Sequence, residues 1–321
     1  MPDALWFATS SAAEAKPPET EVPAGWLSPG LGCRHVGMGN DLFARSGRVP
    51  HLLAVAEQVL GYRLEPICLE GSGRKIVPAR QEAEVIYVLS CAYAVALAEA
   101  GYQPTAVLGH SLGSWAAAWT AGVYDFVTGL QLVGHVEQLL ETFVDGRQLG
   151  MAAIIGLDES AVRREISAYP RVTLANYNSP AQFVIGGPVN DLERILLAAN
   201  ELGAKRAKLL PTSRPIHTPW MEEVAARLKP RLDSVTFSVP RLPFIACDCA
   251  EVLDSADRVR NFFSIFLMKP VHWENCFREL NKICGSQFIE VGPGALLTSL
   301  ASFIDPTMTI RTATDCLESA H

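Results

Sequence analysis

The spacing of hydrophobic positions changes several times along the chain, and each change predicts a different element. Between residues 79 and 100, apolar residues recur at spacings of three and four, which predicts a buried or amphipathic helix ending at Gly101. Residues 123–143 carry a second helical pattern, whereas short apolar runs at 105–108 and 244–246 predict buried strands. Because strands and helices alternate, we predict an α/β fold with a mostly parallel sheet and helices on both faces.

Residues 151–210 have a pattern of their own. Four predicted strands and two predicted helices follow one another there in the order β-α-β-β-α-β. This is the order of the split βαβ, ferredoxin-like arrangement. We therefore predict a ferredoxin-like small domain at 151–210, inserted into a large α/β domain formed by 25–150 and 211–321.

A G-x-S-x-G stretch at residues 109–113 stands between the predicted strand at 105–108 and a predicted helix that includes 115–119. In a nucleophile elbow of this form the serine is held at strained backbone angles, and a Cβ on either glycine would collide with the neighbouring strand and helix. The hydroxyl of Ser111 would lie at a helix N-terminus, where free N–H groups favour a developing anion. The stretch alone occurs by chance in many loops, but this context predicts a serine nucleophile in an α/β-hydrolase-like large domain.

The loop at 29–34 carries a glycine on each side of Leu31, at Gly30 and Gly32. Glycines placed in this way indicate either a backbone that closely approaches another part of the protein or an ordinary tight turn. The segment by itself leaves both interpretations open.

Composition places the chain among ordinary soluble globular proteins, with 321 residues of which 49% are hydrophobic and 19% charged. The formal net charge of -7 argues against a nucleic-acid partner, which would require a strong basic excess. With no signal-peptide pattern and no window of about 18 apolar residues, we predict a cytoplasmic protein without a membrane partner. The small, polar and proline-rich residues 1–24 are predicted to form a mobile leader.

Eight cysteines are scattered along the chain, most of them in apolar runs such as 67–69. That distribution is typical of reduced core thiols and not of a disulfide framework. Cys247 and Cys249 have the wrong spacing for a zinc knuckle, and no histidine lies close to them in sequence. We therefore predict no bound metal.

Six separated stretches stand out along the chain. They are SPGLG at 28–32, GHSLG at 109–113, NYNSP at 176–180, PIH at 215–217, PVHW at 270–273 and EVGPG at 290–294. In this order they resemble the malonyl-CoA:acyl-carrier-protein transacylase family, which also supplies the acyltransferase domains of polyketide synthases. The resemblance covers residues 26–303, and the family's fold agrees with an inserted small domain.

The resemblance implies a reaction that passes through an acyl-serine. Ser111 is then the nucleophile and His217 its base, because a serine hydroxyl is a weak nucleophile at neutral pH until a positioned base takes its proton. The family orients its histidine through a backbone carbonyl of the loop that matches 270–273, which contains His272. His110, inside the elbow, is expected to line the acyl pocket.

The family's oxyanion hole consists of two backbone N–H groups, which the resemblance assigns to Leu31 and Leu112. The family's usual glutamine is leucine at position 31. Because the donor is the backbone, we expect the oxyanion hole to survive this replacement. An acidic residue common just after the elbow is replaced by Ser114, and the sequence offers no interpretation of that change.

The chain departs from the family at the position that selects malonyl groups. Malonyl-selective members carry an arginine in a Leu-Val-x-x-Arg-Gly pattern, where the guanidinium pairs with the free carboxylate of the substrate. Here the arginine position is Val136, followed by Glu137. An unpaired buried carboxylate would cost several kcal/mol, so a neutral acyl group is expected. Ordinary malonyl transfer remains an alternative if Arg214 reaches the pocket and replaces the missing arginine.

We therefore interpret the chain as a serine acyltransferase of polyketide biosynthesis without a bound cofactor. It would move an acyl group from the phosphopantetheine of an acyl carrier protein, or from acyl-CoA, through an acyl-Ser111 ester to another carrier protein. A hydrolase that clears stalled chains is an alternative of a different class, since the choice between a thiol and water depends on water access. A docking module without activity is disfavoured by the retained Ser111 and His217.

Carrier proteins of this family's type present an acidic helix, so a net-acidic enzyme must offer them a local positive surface. Basic residues cluster at 205–208 and 227–231, next in sequence to segments expected to border the cleft between the domains. We predict that Arg206 and Arg231 bind the carrier protein, although each cluster alone is also explained as a solvated surface.

Overall fold

The computed structural model describes residues 24–69, 77–144 and 146–319. Helices and strands alternate along these residues and build a mixed α/β fold around a parallel sheet. The predicted leader lies outside the described residues except for Ala24, which begins the first strand.

Ten strands and thirteen α-helices are found in the described part of the chain. The strands are β1 (Ala24–Ser28), β2 (Pro104–Gly109), β3 (Leu149–Ile155), β4 (Thr173–Ser179), β5 (Gln182–Pro188), β6 (Arg206–Leu209), β7 (Phe244–Ile245), β8 (Val252–Leu253), β9 (Gln287–Glu290) and β10 (Thr309–Thr312). The helices are α1 (Asn40–Phe43), α2 (Val49–Leu60), α3 (Glu65–Leu69), α4 (Ala79–Glu99), α5 (Gly113–Thr120), α6 (Phe126–Val144), α7 (Glu159–Ile166), α8 (Val189–Glu201), α9 (Glu222–Asp233), α10 (Ala256–Ile265), α11 (Trp273–Cys284), α12 (Leu296–Ser302) and α13 (Ala313–Glu318). Short 3-10 helices span Pro219–Met221 and Phe266–Met268.

Six strands form the larger sheet in the order β10-β9-β1-β2-β7-β8. Neighbouring strands are parallel except for the antiparallel pair β7 and β8. Trp26 and Leu27 of β1, like Val107 and Leu108 of β2, are at most 1% exposed, as expected for strands whose two faces are covered. Helices α5 and α11 both pack against β1 and β2. The elbow after β2 therefore lies at the middle of the larger sheet.

Helix α4 corrects the expectation that no segment is apolar enough to cross a membrane. By length and composition alone this 21-residue helix qualifies, but 83% of its most apolar window is buried inside the protein. Helices that are hydrophobic on all sides are found in the cores of large domains as well as in membranes. Since α4 contacts α2, α5, α6 and α13, it is the central helix of the large hydrophobic core.

A second sheet is antiparallel and has the order β4-β5-β3-β6. The elements from β3 to β6 follow one another as β-α-β-β-α-β. Ile154 and Ile185 of this sheet share a buried cluster with Val162 of α7 and Ile195 of α8. The two helices therefore cover one face of the second sheet.

The second sheet is joined to the rest of the protein through Val271, which lies just before α11. The N–H of Tyr177 on β4 donates to the carbonyl of Val271 at 2.8 Å, and the N–H of Val271 donates to the carbonyl of Ala175 at 2.8 Å. This pairing holds β4 beside the segment between α10 and α11.

Strand β10 was not predicted from the sequence. It pairs with β9 on one side only, and its residues Thr309–Thr312 are exposed or half-buried. An edge strand of this kind buries little apolar surface, so it leaves only a weak hydrophobic pattern in the sequence.

Candidate active site

The nucleophile elbow has the predicted geometry. Strand β2 ends at Gly109 and helix α5 begins at Gly113, with Ser111 between them at a left-handed φ of 53°. A Cβ on Gly109 would lie 2.2 Å from the carbonyl carbon of Gly113, and a Cβ on Gly113 would lie 2.0 Å from the carbonyl oxygen of Ser28. Only glycine fits at either position, because the obstructing atoms are backbone and cannot rotate away.

The loop at 29–34 approaches the elbow closely, which decides between its two interpretations. A Cβ on Gly30 would lie 2.5 Å from the carbonyl oxygen of His110 and 3.5 Å from the nitrogen of Leu112. Gly30 is therefore required because this loop packs directly against the elbow.

Ser111 and His217 meet although 106 residues separate them in sequence. The Oγ of Ser111 lies 2.7 Å from Nε2 of His217. The Nδ1 of His217 lies 2.9 Å from the carbonyl oxygen of Phe266 and 3.2 Å from that of Lys269. Carbonyl oxygens only accept, so Nδ1 carries the ring proton and Nε2 is left to take the proton of Ser111.

The carbonyls that orient His217 come from before the predicted loop 270–273, so that prediction was wrong. His272 is the N-cap of α11, and its own carbonyl accepts from the N–H of Cys276 at 3.0 Å. The ring of His272 stacks on Tyr177 with 4.4 Å between ring centroids. The carbonyl of His272 thus serves the first turn of α11, while the contacts to the catalytic histidine come from Phe266 and Lys269.

Burial of His217, which is 3% exposed, lowers its pKa to about 4. The carbonyls of Phe266 and Lys269 oppose the shift by favouring the protonated ring, and nearby His110 adds to it. His217 is therefore a neutral base throughout the physiological pH range.

We expect the rate of Ser111 acylation to stay nearly constant from about pH 8 to about pH 5 and to fall as the pH passes through about 4. Only the neutral imidazole can act as the base, so activity is lost at the lowered pKa of His217. The rate is measured in single turnovers by intact mass with a short neutral thioester.

Circular dichroism at each pH is the control, because the same shift also affects folding. The pKa of His217 is lower in the folded protein than the unfolded value of about 6.5, so its contribution to stability is present above about pH 6.5 and is lost progressively below it. Loss of acylation near pH 6.5 in protein that is still folded would contradict the assigned base.

The two predicted oxyanion donors belong to the elbow and to the loop that packs against it. Leu112 directly follows Ser111, and Gly30 next to Leu31 lies against Leu112. Within the described residues, neither the N–H of Leu31 nor that of Leu112 donates to a backbone carbonyl. Both N–H groups therefore suit the oxyanion role, which stays a prediction.

His110 makes a polar contact that the sequence did not predict. Its Nε2 is 3.1 Å from Oδ1 of Asn178, and its ring meets the Trp273 ring edge-on at 5.1 Å. Burial lowers the pKa of His110, although the contact with Asn178 opposes the shift. These contacts hold the elbow against β4 and α11, while the role of His110 in the acyl pocket stays a prediction.

Ser114 has a structural role that the sequence did not reveal. Its hydroxyl donates to the carbonyl of Gly109 at 3.1 Å. The first turn of α5 is thereby tied back to the end of β2, which stiffens the elbow.

Val136 is 5% exposed and belongs to the large hydrophobic core. The next residue, Glu137, forms a buried ion pair with Arg214. Burial raises the pKa of Glu137, although the charge of Arg214 opposes the shift. Arg214 therefore already has a carboxylate partner. This pairing argues against the alternative in which Arg214 replaces the missing arginine.

A serine on an elbow, hydrogen-bonded to a buried neutral histidine, defines an enzyme that forms a covalent ester on its serine. The chain belongs to the acyl transferase domain family, whose sequence profile matches residues 25–308. It is an acyltransferase.

Similar proteins cover nearly the whole chain. The malonyl CoA-acyl carrier protein transacylase of Escherichia coli K12 is 33% identical over 288 residues, which are 88% of this chain and 93% of that protein. The polyketide biosynthesis protein PksE of Bacillus subtilis is 33% identical over 280 residues, 86% of this chain but 36% of that longer protein. A solved type II polyketide synthase malonyl-transacylase, in complex with its acyl carrier protein, has a TM-score of 0.87 at 30% identity and covers 93% of this chain and 98% of that one.

Proposed function

We propose that the protein moves a neutral acyl group from one carrier-protein thioester to another through an ester on Ser111. The observation that carries this proposal is the 2.7 Å contact between Ser111 Oγ and His217 Nε2. The names of the relatives support a carrier protein as partner. The proposal also includes an acyl group held on phosphopantetheine and a reaction that uses no further cofactor. Acyl-CoA is a second donor of the same chemistry.

The reaction divides into two similar steps. Ser111 attacks the thioester carbonyl while His217 takes the hydroxyl proton at Nε2, and the N–H groups of Leu31 and Leu112 bind the resulting oxyanion. The carbon–sulfur bond breaks, and the departing thiolate receives the proton from His217. An acceptor thiol then repeats the sequence on the acyl-Ser111 ester and regenerates the free serine.

The neutral acyl group is inferred from Val136 and its surroundings. Valine at this position offers no charge to a substrate carboxylate, and Arg214 is paired with Glu137. A malonyl group would therefore bury its carboxylate without a partner, at a cost of several kcal/mol. Acetyl or longer neutral acyl groups avoid that cost.

Intact-mass analysis tests the proposal directly. The protein is exposed to acetyl, longer neutral and malonyl thioesters, each on carrier protein and on CoA, and the adduct on Ser111 is weighed. We expect neutral adducts to form faster than malonyl adducts, and the reverse order would overturn the proposed selectivity. Release of the acyl group to water faster than to a holo carrier protein would show a hydrolase.

We also infer a division into two domains. The strand order β4-β5-β3-β6, with α7 and α8 on one face, supports a ferredoxin-like small domain at 151–210. The parallel sheet and the elbow after β2 support an α/β-hydrolase-like large domain at 25–150 and 211–321. A cytoplasmic location, as expected for biosynthesis on carrier proteins, is part of the same proposal.

The two predicted docking residues differ in their surroundings. Arg206 is exposed on β6, at the edge of the second sheet. Arg231 is half-buried, and its Nη2 donates to Oε1 of Gln131 at 3.1 Å. Arg206 is therefore the better probe of carrier-protein binding, because reversing its charge breaks no side-chain hydrogen bond to a described residue.

We expect Arg206→Glu to slow the reaction with an acyl carrier protein several-fold and to flatten its dependence on salt, since a charge that attracts an acidic partner is lost. The reaction with a short pantetheine thioester should be unchanged. Arg194→Glu, on the exposed face of α8, is the matched charge reversal. Equal slowing with both substrates, or equal effects of both variants, would refute the docking role.

A further inference from the structure

The ion pair of Glu137 and Arg214 has no part in the two steps proposed above. The side chain of Glu137 is 4% exposed and that of Arg214 is 8% exposed. Two charges removed from water in this way contribute little net stability, because the desolvation penalty offsets their attraction. Stability alone therefore does not explain the pair. Its position supports a role in substrate specificity instead.

Each member of the pair is close in sequence to a residue of the proposed site. Arg214 is three residues before His217 in a tightly turned segment, where the N–H of Ile216 donates to the carbonyl of Arg214 at 2.8 Å. Glu137 follows Val136 on α6 and thus adjoins the position assigned to acyl selection.

Arg214 also shares a charged neighbour with the loop at 29–34. Glu82 on α4 is close enough to Arg214 and to Arg34 that both oppose the rise in its pKa that burial causes. Arg34 ends the loop that carries Leu31. Arg214 is therefore bound to α6 through Glu137 and shares the neighbouring charge of Glu82 with Arg34.

We propose that Glu137 determines substrate selectivity by occupying the guanidinium of Arg214, so that this arginine cannot bind the carboxylate of a malonyl-type substrate. The inference rests on the proposed preference for neutral acyl groups. A guanidinium binds a carboxylate through two parallel hydrogen bonds, and Glu137 supplies that carboxylate from within the chain. A substrate carboxylate that binds Arg214 must displace Glu137, which is then left unpaired. If Glu137 is not displaced, the substrate carboxylate itself stays unpaired.

Glu137→Gln tests this role because it removes the charge and keeps the volume. The ratio of the Ser111 acylation rates with malonyl-CoA and acetyl-CoA is measured by intact mass. We expect the ratio to rise about 10- to 100-fold over that of the unchanged protein, the worth of a charge-assisted hydrogen bond. In Glu137→Gln/Arg214→Gln the ratio should return to its original value, because no guanidinium remains to bind the substrate.

Glu84→Gln is the matched control. Glu84 is also a buried carboxylate with an arginine partner, Arg80, whose Nε lies 2.8 Å from Oε1 of Glu84. The side chain of Arg80 is 47% exposed, so water solvates it when Glu84 loses its charge. The ratio should therefore stay unchanged in Glu84→Gln, and an equal rise there would refute a specific role of Glu137.

The outcomes separate the two proposals. If the unchanged protein prefers acetyl-CoA and the ratio stays constant in folded Glu137→Gln, the role of Glu137 is refuted and the neutral preference stands. If the unchanged protein already prefers malonyl-CoA, both are refuted. Should Glu137→Gln fail to fold, Glu137→Asp keeps the charge but draws it back by one methylene, and a ratio that does not rise in that variant refutes the role of Glu137.

Discussion

Ser111→Ala is expected to abolish the acyl-enzyme. The Oγ of Ser111 is the atom that lies 2.7 Å from the buried neutral base His217, and alanine offers no atom to carry the ester. We expect the mass adduct to disappear and acyl transfer to fall by a factor on the order of 10⁴ or more. Intact mass after incubation with a reactive neutral thioester measures the first effect, and transfer to a holo carrier protein measures the second.

The fold should survive this change. Ser111 is only half-buried, so its hydroxyl fills no core volume, and unfolding in urea should occur at nearly the original midpoint. Ser299→Ala, on the surface helix α12, is the matched control and should keep both the adduct and the transfer activity. An adduct of the same mass on the Ser111→Ala protein would refute the assignment of the nucleophile.

Gly113→Ala is expected to disrupt both the elbow and the stability of the protein. The added Cβ would lie 2.0 Å from the carbonyl oxygen of Ser28 and 2.8 Å from that of Pro29, so β1 and α5 must move apart. We expect the free energy of unfolding to fall by about 3 kcal/mol. Acylation should also be lost, because the loop at 29–34 shifts away from Ser111.

Gly203→Ala separates this steric effect from backbone strain. Gly203 has a left-handed φ of 89°, and nothing lies within 4 Å of the position its Cβ would take. We expect a loss of about 1 kcal/mol there, with acylation retained. Urea unfolding and intact mass measure both variants, and a Gly113→Ala protein as stable and active as the original would show that the elbow is packed differently.

Features of the fold that depend only on residues close together in sequence were predictable. The helix expected at 79–100 is found at Ala79–Glu99, because a long apolar pattern reflects burial of the whole segment. The elbow at 109–113 was predicted from its two glycines and its serine, since the strand, the turn and the helix follow one another directly in sequence.

The partners of His217 were only partly predictable. The sequence assigned a histidine and a backbone carbonyl, but placed the carbonyl in the loop 270–273. Every residue has a carbonyl, so composition cannot indicate which one faces a ring. The 3-10 helix at Phe266–Met268 and the residue after it bring the carbonyls of Phe266 and Lys269 to the ring, whereas the carbonyl of His272 lies in the first turn of α11.

The sequence by itself determined the alternating α/β pattern, the elbow and the chemical identities of Ser111 and His217, because each is a property of residue type and local spacing. Only the tertiary structure decided that Glu137 pairs with Arg214, 77 residues further along the chain. Both were visible in the sequence as charged residues near family motifs. Whether two distant charges meet depends on how α6 packs beside residues 214–217. Attraction between charges acts over a few ångströms in space and has no counterpart in sequence distance.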